Sequence, residues 1–180
     1  MLYGFTRNVN LKFYKPNINR KTILAANYTI KSSYRLIYFQ RNQLLKTLKE
    51  RYNSNKNFSL GKIPKKNYLR TMRTSKAVVS PFGWGEICYR DFEAYLAGAA
   101  LIKPNMDHLE TWPNLYIKNE NYISIPWKLE DWADVFQEIL TDSKLLLEVA
   151  KNGQESYKNL WTSEGRKKFC DHFIEIITPK

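Results

Sequence analysis

Two short runs, Ala77-Val78-Val79 and Ala99-Ala100-Leu101-Ile102, hold no polar residue. A strand with one wet face alternates polar and apolar side chains, whereas one covered on both faces reads as a continuous apolar run. Covered strands belong to parallel sheets packed between helices. The segments around the two runs fit that frame. Residues 58–63 (FSLGKI) predict a short strand, and Pro64 opens a helix over 65–74 with Tyr68, Leu69 and Met72 on one face. A buried strand over 77–80 ends at Pro81. A glycine-rich loop over 81–85 leads to a helix from about 86 to 97, stopped by Gly98. The strand over 99–102 ends at Pro104, and residues 115–117 predict one more. Helices over 129–140, 143–160 and 165–177 complete the chain. The expected class is α/β: a parallel sheet flanked by helices, with a helical C-terminal tail.

The first third is less regular. Residues 1–33 contain apolar fragments without a sustained period, and predict an irregular basic segment with one short strand at most. Residues 34–39 (YRLIYF) are strand formers. They run into a helix over 41–52, where Leu44, Leu45 and Leu48 make an apolar stripe. The expected division is therefore 1–33 as a basic N-terminal segment and 34–180 as the folded domain.

Charge is distributed unevenly. Residues 1–79 carry 18 Lys and Arg against one acid, Glu50, whereas residues 80–180 carry 11 against 16. The basic half suits a polyanion, an anionic membrane surface, an acidic second domain, or plain solvation. No nucleic-acid-binding motif accompanies it, which disfavours nucleic acid as the partner. With 43% hydrophobic residues the chain can build a packed core. The two cysteines, Cys88 and Cys170, lie far apart and form neither a disulfide framework nor a zinc ribbon. No apolar run approaches the roughly 20 residues of a membrane span. The N-terminus lacks the apolar stretch of a signal peptide. The expected location is the cytoplasm, with the basic half able to sit at a membrane surface.

The chemistry concentrates in residues 80–104. In an open parallel sheet, ligands bind beyond the carboxyl ends of the strands. The loop over 82–85 lies at such an end and feeds a helix N-terminus, where unpaired N–H groups favour phosphate. Gly83 and Gly85 let the backbone approach a ligand closely. Glu86 is expected at the helix terminus, as a cap or as an acceptor for a ligand hydroxyl. Glu93 follows nearly two turns later on the same face, and Arg90 can pair with Glu86. Two acids so spaced also fit a solvated surface. The small and apolar neighbours of Glu93 favour a cleft instead, where a carboxylate can accept both protons of a sugar or ribose diol.

The pattern FGxGExxxRxxEAxxxGxxxIxP over 82–104 resembles the signature of the nucleotide-sugar-binding half of GT-B glycosyltransferases. It is most similar to the group-1 type and its exostosin-like relatives. The resemblance covers roughly residues 34–177, with its specific core at 58–104. It implies a single Rossmann-like domain, one half of a two-domain fold, with the donor held in a cleft. Glu93 would bind the donor ribose, and Glu86 would lie near the transferred sugar as the catalytic carboxylate. Gly83, Trp84 and Gly85 would offer backbone to the diphosphate or sugar, and Arg90 would support the loop or reach a phosphate. Ile63, after Gly61, would touch the base. Arg41 and Lys46 would correspond to the basic pair on the diphosphate. The two glutamates stand one residue closer together than in many relatives. Only residues 1–33 precede the match, so the chain is expected to be a fragment, a split subunit or a truncated remnant that lacks an acceptor domain. The implied activity is sugar transfer from a nucleotide-diphosphate sugar to a saccharide, lipid-linked or protein acceptor, incomplete without a separate acceptor domain. No metal or other cofactor is expected.

His108 lies near the same edge as a cleft-lining polar residue. A metal site would need a third ligand, and none is evident. Cys88, Cys170 and His172 read as structural. Trp112, Trp127, Trp132 and Trp161 read as core or helix-packing residues. Two rival readings stand beside the enzyme: a basic module that docks on nucleic acid or an anionic surface, and a degenerate remnant that folds but binds nothing.

Overall fold

The computed structural model describes residues 11–128 and 132–178. Its centre is a sheet of five parallel strands: β1 (Thr22–Ala26), β2 (Phe58–Leu60), β3 (Ser75–Val79), β4 (Ala100–Pro104) and β5 (Ile123–Ile125). Their spatial order is β2-β1-β3-β4-β5. Register is continuous across the middle, with Leu24 opposite Ala77, and Ala77 opposite Ala100.

Among the described residues there are six helices, α1 (Arg35–Tyr52), α2 (Lys65–Thr74), α3 (Tyr89–Ala97), α4 (Trp132–Thr141), α5 (Ser143–Asn159) and α6 (Ser163–Ile177), and the first five cover the sheet. Strand side chains alternate between the two faces. Leu24, Ala26, Ala77, Val79, Ala100 and Ile102 meet Leu44, Leu45 and Leu48 of α1 and Trp132 and Phe136 of α4 on one side. Ala25, Val78 and Leu101 meet Met72 of α2 and Ala94 and Tyr95 of α3 on the other. Coverage on both faces is why the strands contain no alternation. The expected α/β class with one flanked parallel sheet is present.

The N-terminal third departs from expectation. The one short strand allowed within residues 1–33 is β1, and it pairs with both β2 and β3. The sheet therefore reaches upstream of residue 34. Residues 35–39, read as strand formers, instead begin α1, with Tyr34 as its extended N-cap. Both edges of β1 are already paired, and the segment is the crossover to β2. Its apolar side chains stay in solvent, with Leu36 83% exposed. The predicted strand at 115–117 is also absent. Leu115 and Tyr116 are buried in non-strand conformation, and Ile123–Ile125 supplies the edge strand instead. β2 stops at Leu60 because Gly61 turns the chain at φ 87°. The helix read over 129–140 begins in residues outside those described, and Trp132–Thr141 forms as expected.

Segment 14–20 is fastened to the sheet's other end. Arg20 donates to the carbonyls of Ser75 and Ala97, and burial pulls its guanidinium down to about 10. Tyr14 donates its N–H to Leu96 O at 2.8 Å and accepts from the Gln154 amide at 3.0 Å. The segment closes on Gly98, which caps α3 in the left-handed conformation at φ 64°. Helix α6 is different in kind. It has no buried residue, and Phe173, Ile174, Ile176 and Ile177 are exposed.

Gly98→Ala tests this closure. A Cβ there meets the Tyr14 carbonyl oxygen and must also adopt positive φ. The left-handed backbone alone costs about 1–3 kcal/mol. Urea unfolding should show a loss of at least that size, and an unchanged midpoint would show the closure to be dispensable.

Candidate functional site

The chain reverses its winding at β1. From β1 it crosses by α1 to β2, and from β2 it returns by α2 to β3 on the far side of β1. The loops after β1 and β3 thus diverge to opposite faces and leave a crevice between them, the usual ligand position in such sheets. Four strand-end loops meet along this edge: residues 27–34, 80–88, 105–110 and 126–128.

The loop after β3 is set by a buried polar network. Asp91, in the first turn of α3, is fully buried. Its carboxylate accepts from the Ser80 hydroxyl, from Lys103 Nζ at 3.2 Å, from Tyr116 Oη at 2.9 Å and from the Cys88 N–H at 3.0 Å. Lys103 is also fully buried, and its ammonium lies 5.0 Å from the Phe82 ring centroid. Burial and then the Asp91 charge push the Tyr116 phenol up, so it stays a donor. Asp91 and Cys88 form a capping box, and α3 therefore starts at Tyr89.

That start corrects the helix predicted from residue 86. Glu86 lies in the loop, off the helix face that carries Glu93, and pairs with His108 rather than with Arg90. Glu86 Oε1 and His108 Nε2 are 2.9 Å apart. Trp127, expected in the core or in helix packing, is half exposed and packs edge-on against the His108 ring at 5.4 Å.

α1 holds the same loop from the other side. Gln40 accepts the Phe82 N–H at 3.1 Å, and Arg41 Nε donates to Phe82 O at 2.8 Å. Arg41 also donates to Thr29 O. Gly83 sits beneath this guanidinium. A Cβ there would lie 3.1 Å from Cys88 Sγ and 3.6 Å from Arg41, whereas one on Gly85 would meet nothing. Close approach therefore explains Gly83 and not Gly85. Trp84, between them, is 93% exposed at the loop's tip. The Cys88 thiol contacts the carbonyls of Pro81, Gly85 and Glu86, and burial pushes it up.

Arg90 completes the arrangement. Its guanidinium lies 5.5 Å from the Tyr28 ring centroid, and Tyr68 bonds both Arg90 and Glu93. Tyr68 Oη donates to Glu93 Oε2 at 3.0 Å. Arg90 Nε is buried with no hydrogen-bond partner. Burial, and after it the like charge of Arg90, pulls the Arg41 guanidinium down. Among the described residues, no ion pair joins either arginine to a carboxylate. Two cations are thus drawn together at the crevice, with Glu93 linked to Arg90 through the Tyr68 phenol. Ile63 is half-buried beyond β2, where Gly61 donates to Ala26 O and accepts from the buried Asn27 amide. Lys46 stands apart. It is exposed on α1 and pairs with Glu50 at 3.8 Å.

The structure therefore brings Arg41, Arg90, Gly83, Trp84, Gly85, Glu86 and Glu93 to one edge and leaves Lys46 outside. Sequence reading missed Asp91, Lys103, Tyr28 and Tyr68. Only Asp91 had a signal, since it stands three residues after Cys88 at the third helical position, where a carboxylate closes a capping box.

No family model and no curated protein matches the chain. Solved structures do. TarM of S. aureus, in complex with fondaparinux, alpha-GlcNAc-glycerol and UDP, superposes with a TM-score of 0.61 at 14% identity. The C-terminal domain of LpcC, a glycosyl transferase group 1 family protein from Francisella tularensis, gives 0.54 at 14%. The fold is that of a GT-B half. Anabaena HepE in complex with UDP-glucose gives 0.56 at 11%. The matches cover 91%, 87% and 86% of this chain. It spans 37% of TarM and 49% of HepE, but all of the LpcC domain. Among the described residues, no helix is long and apolar enough to cross a membrane.

Asp91→Ala would leave the Lys103 ammonium buried without its counter-charge. The loss should reach about 3–5 kcal/mol in urea unfolding. Adding Lys103→Met to Asp91→Ala should recover much of it. No recovery would mean that the pair does not act as a unit.

Proposed function

We propose that this domain binds a nucleotide-diphosphate sugar and presents it for glycosyl transfer. The observation that carries the reading is the Arg41–Arg90 pair, two neighbouring cations for which the described residues show no ion pair, beside a glycine loop at the crevice. A diphosphate supplies the missing negative charge, and it becomes the leaving group of sugar transfer. Arginines fixed beforehand stabilise that departing charge without reorganising during the reaction.

The remaining residues take roles around it. Glu93, oriented by Tyr68, accepts hydrogen bonds from the ribose hydroxyls. The backbone over 83–85 faces the diphosphate or sugar. Ile63, beyond the Gly61 turn, lies where the base would stack. Support comes from the fold shared with TarM and HepE, whose structures hold UDP and UDP-glucose. The acceptor and its binding domain are assigned to a separate unit, and no metal is invoked.

Calorimetric titration with UDP, GDP, ADP and their sugar conjugates tests the reading. One nucleotide should bind in the micromolar range. Arg90→Gln should weaken it at least about tenfold, the effect of losing one charge-assisted hydrogen bond. Glu93→Ala should weaken nucleoside diphosphates but not inorganic pyrophosphate. A folded chain that binds none of the panel overturns the proposal.

A further inference from the structure

A second cluster of cations lies at the end of the sheet opposite the crevice. β1 begins there at Thr22 and β3 at Ser75, and α2 ends beside them at Thr74. Both strands are five residues long, which sets this end about 16 Å from the crevice. A cavity of about 580 Å³ opens at it, lined by Tyr14, Lys15, Arg20, Lys21, Arg70 and Arg73 together with Asn and Thr residues. No acidic residue lines it. Among the described residues, none of the five cations forms an ion pair. Groups without charge hold them in place. Arg20 donates to the carbonyls of Ser75 at 2.8 Å, Ala97 at 2.7 Å and Lys15 at 3.0 Å. The Arg73 guanidinium lies 4.2 Å from the Tyr14 ring centroid, and Tyr14 is tied by its backbone to Leu96 and Gln154. Arg73 also suits the negative end of α2, whose last turn it occupies. That accounts for one cation and leaves Lys15, Arg20 and Lys21, which come from a different segment, without a structural reason.

The lining selects among polyanions. No Leu, Ile, Val or Phe lines the cavity, so nothing there would insert among acyl chains. A single nucleic-acid strand needs aromatic faces on which its bases stack, and the one ring here, Tyr14, is covered by Arg73. The volume is that of a small-molecule site. We propose that this cavity binds a compact small molecule carrying at least two phosphate groups, at a site separate from the donor crevice. Arg70 and Arg73, three residues apart on α2, present guanidinium forks that match phosphate oxygens, while Lys15 and Lys21 add point charges from the other segment. The site needs no nucleotide sugar in the crevice.

The test titrates the full chain with sodium tripolyphosphate at low ionic strength and follows backbone amide shifts by NMR. Wild type should respond at residues 14–22 and 70–74 and saturate. Arg70→Gln combined with Arg73→Gln should weaken that response at least about tenfold, as loss of charge-assisted hydrogen bonds requires. Both side chains are exposed, so folding should survive, and urea unfolding verifies it. Lys15→Gln combined with Lys21→Gln should give a loss in the same direction without touching α2. Orthophosphate should bind more weakly than tripolyphosphate, since one phosphate cannot reach both segments. Phosphatidylserine–phosphatidylcholine vesicles and a short oligothymidylate are titrated alongside. Tighter binding of either, lost in the same variants, overturns the compact ligand. So does tripolyphosphate that shifts only residues 80–88 or none, and so do double variants that titrate like wild type. A chain that shows these shifts but binds no nucleotide at the crevice overturns the donor reading alone.

Discussion

A carboxylate taken wholly out of water needs donors on every side, and Asp91 has four. Two are neutral hydroxyls, one is a backbone N–H and one is the Lys103 ammonium. Isolated burial of either charge would be prohibitive, and together they are tolerated because each remaining lone pair is answered. The network joins the loop after β3 through Ser80, α3 through Asp91, β4 through Lys103 and the long β4–β5 connection through Tyr116. Four pieces of chain that meet at the ligand edge are thus referred to one point. Where α3 starts, and so where Glu86 and the glycine loop lie, follows from it.

The sequence was informative wherever local patterning and tertiary demand agreed. The bounds of α2 match the reading from Pro64 to Thr74, and the apolar runs at 77 and 99 are the sheet's interior. Failure followed conflict between levels. Residues 34–39 have strand-forming side chains, but the sheet offers them no free edge at that point of the chain. Thr22–Ala26 is a central strand whose basic neighbours hid it, because those charges lie outside a five-residue core segment. Lys103 and Asp91 carry the strongest polar signal in the structure and the weakest in the sequence. A charged residue read alone is most often solvated, and only a three-dimensional partner reverses that. At the site, the glycine loop, Arg90 and Glu93 were legible from spacing. Tyr28, Tyr68 and the turn of Glu86 toward His108 were not, since each depends on a contact across at least 20 residues.

The two arginines show how a binding edge differs from a stabilising one. Arg41 is held by carbonyl oxygens and Arg90 by a tyrosine ring and a phenol. These partners fix position without neutralising charge. A carboxylate at either place would relieve the repulsion and fill the crevice. Holding the pair by such partners favours affinity for an anion over stability of the unliganded fold, and this kind of local inconsistency marks functional surfaces.

Helix α6 has a different relation to the fold. Its contact with the body runs through Trp112, whose ring meets Phe169 at 5.8 Å and stacks on His172 at 4.5 Å. A cooperative unit opens at a free energy set by the apolar area it buries, and a helix that buries no residue has little to lose. The backbone amides of residues 163–177 should therefore exchange with solvent hydrogen far sooner than those of β1, β3 and β4. Opening of that arm would then leave the hydrogen bonds of the sheet intact, because the sheet buries nothing against it.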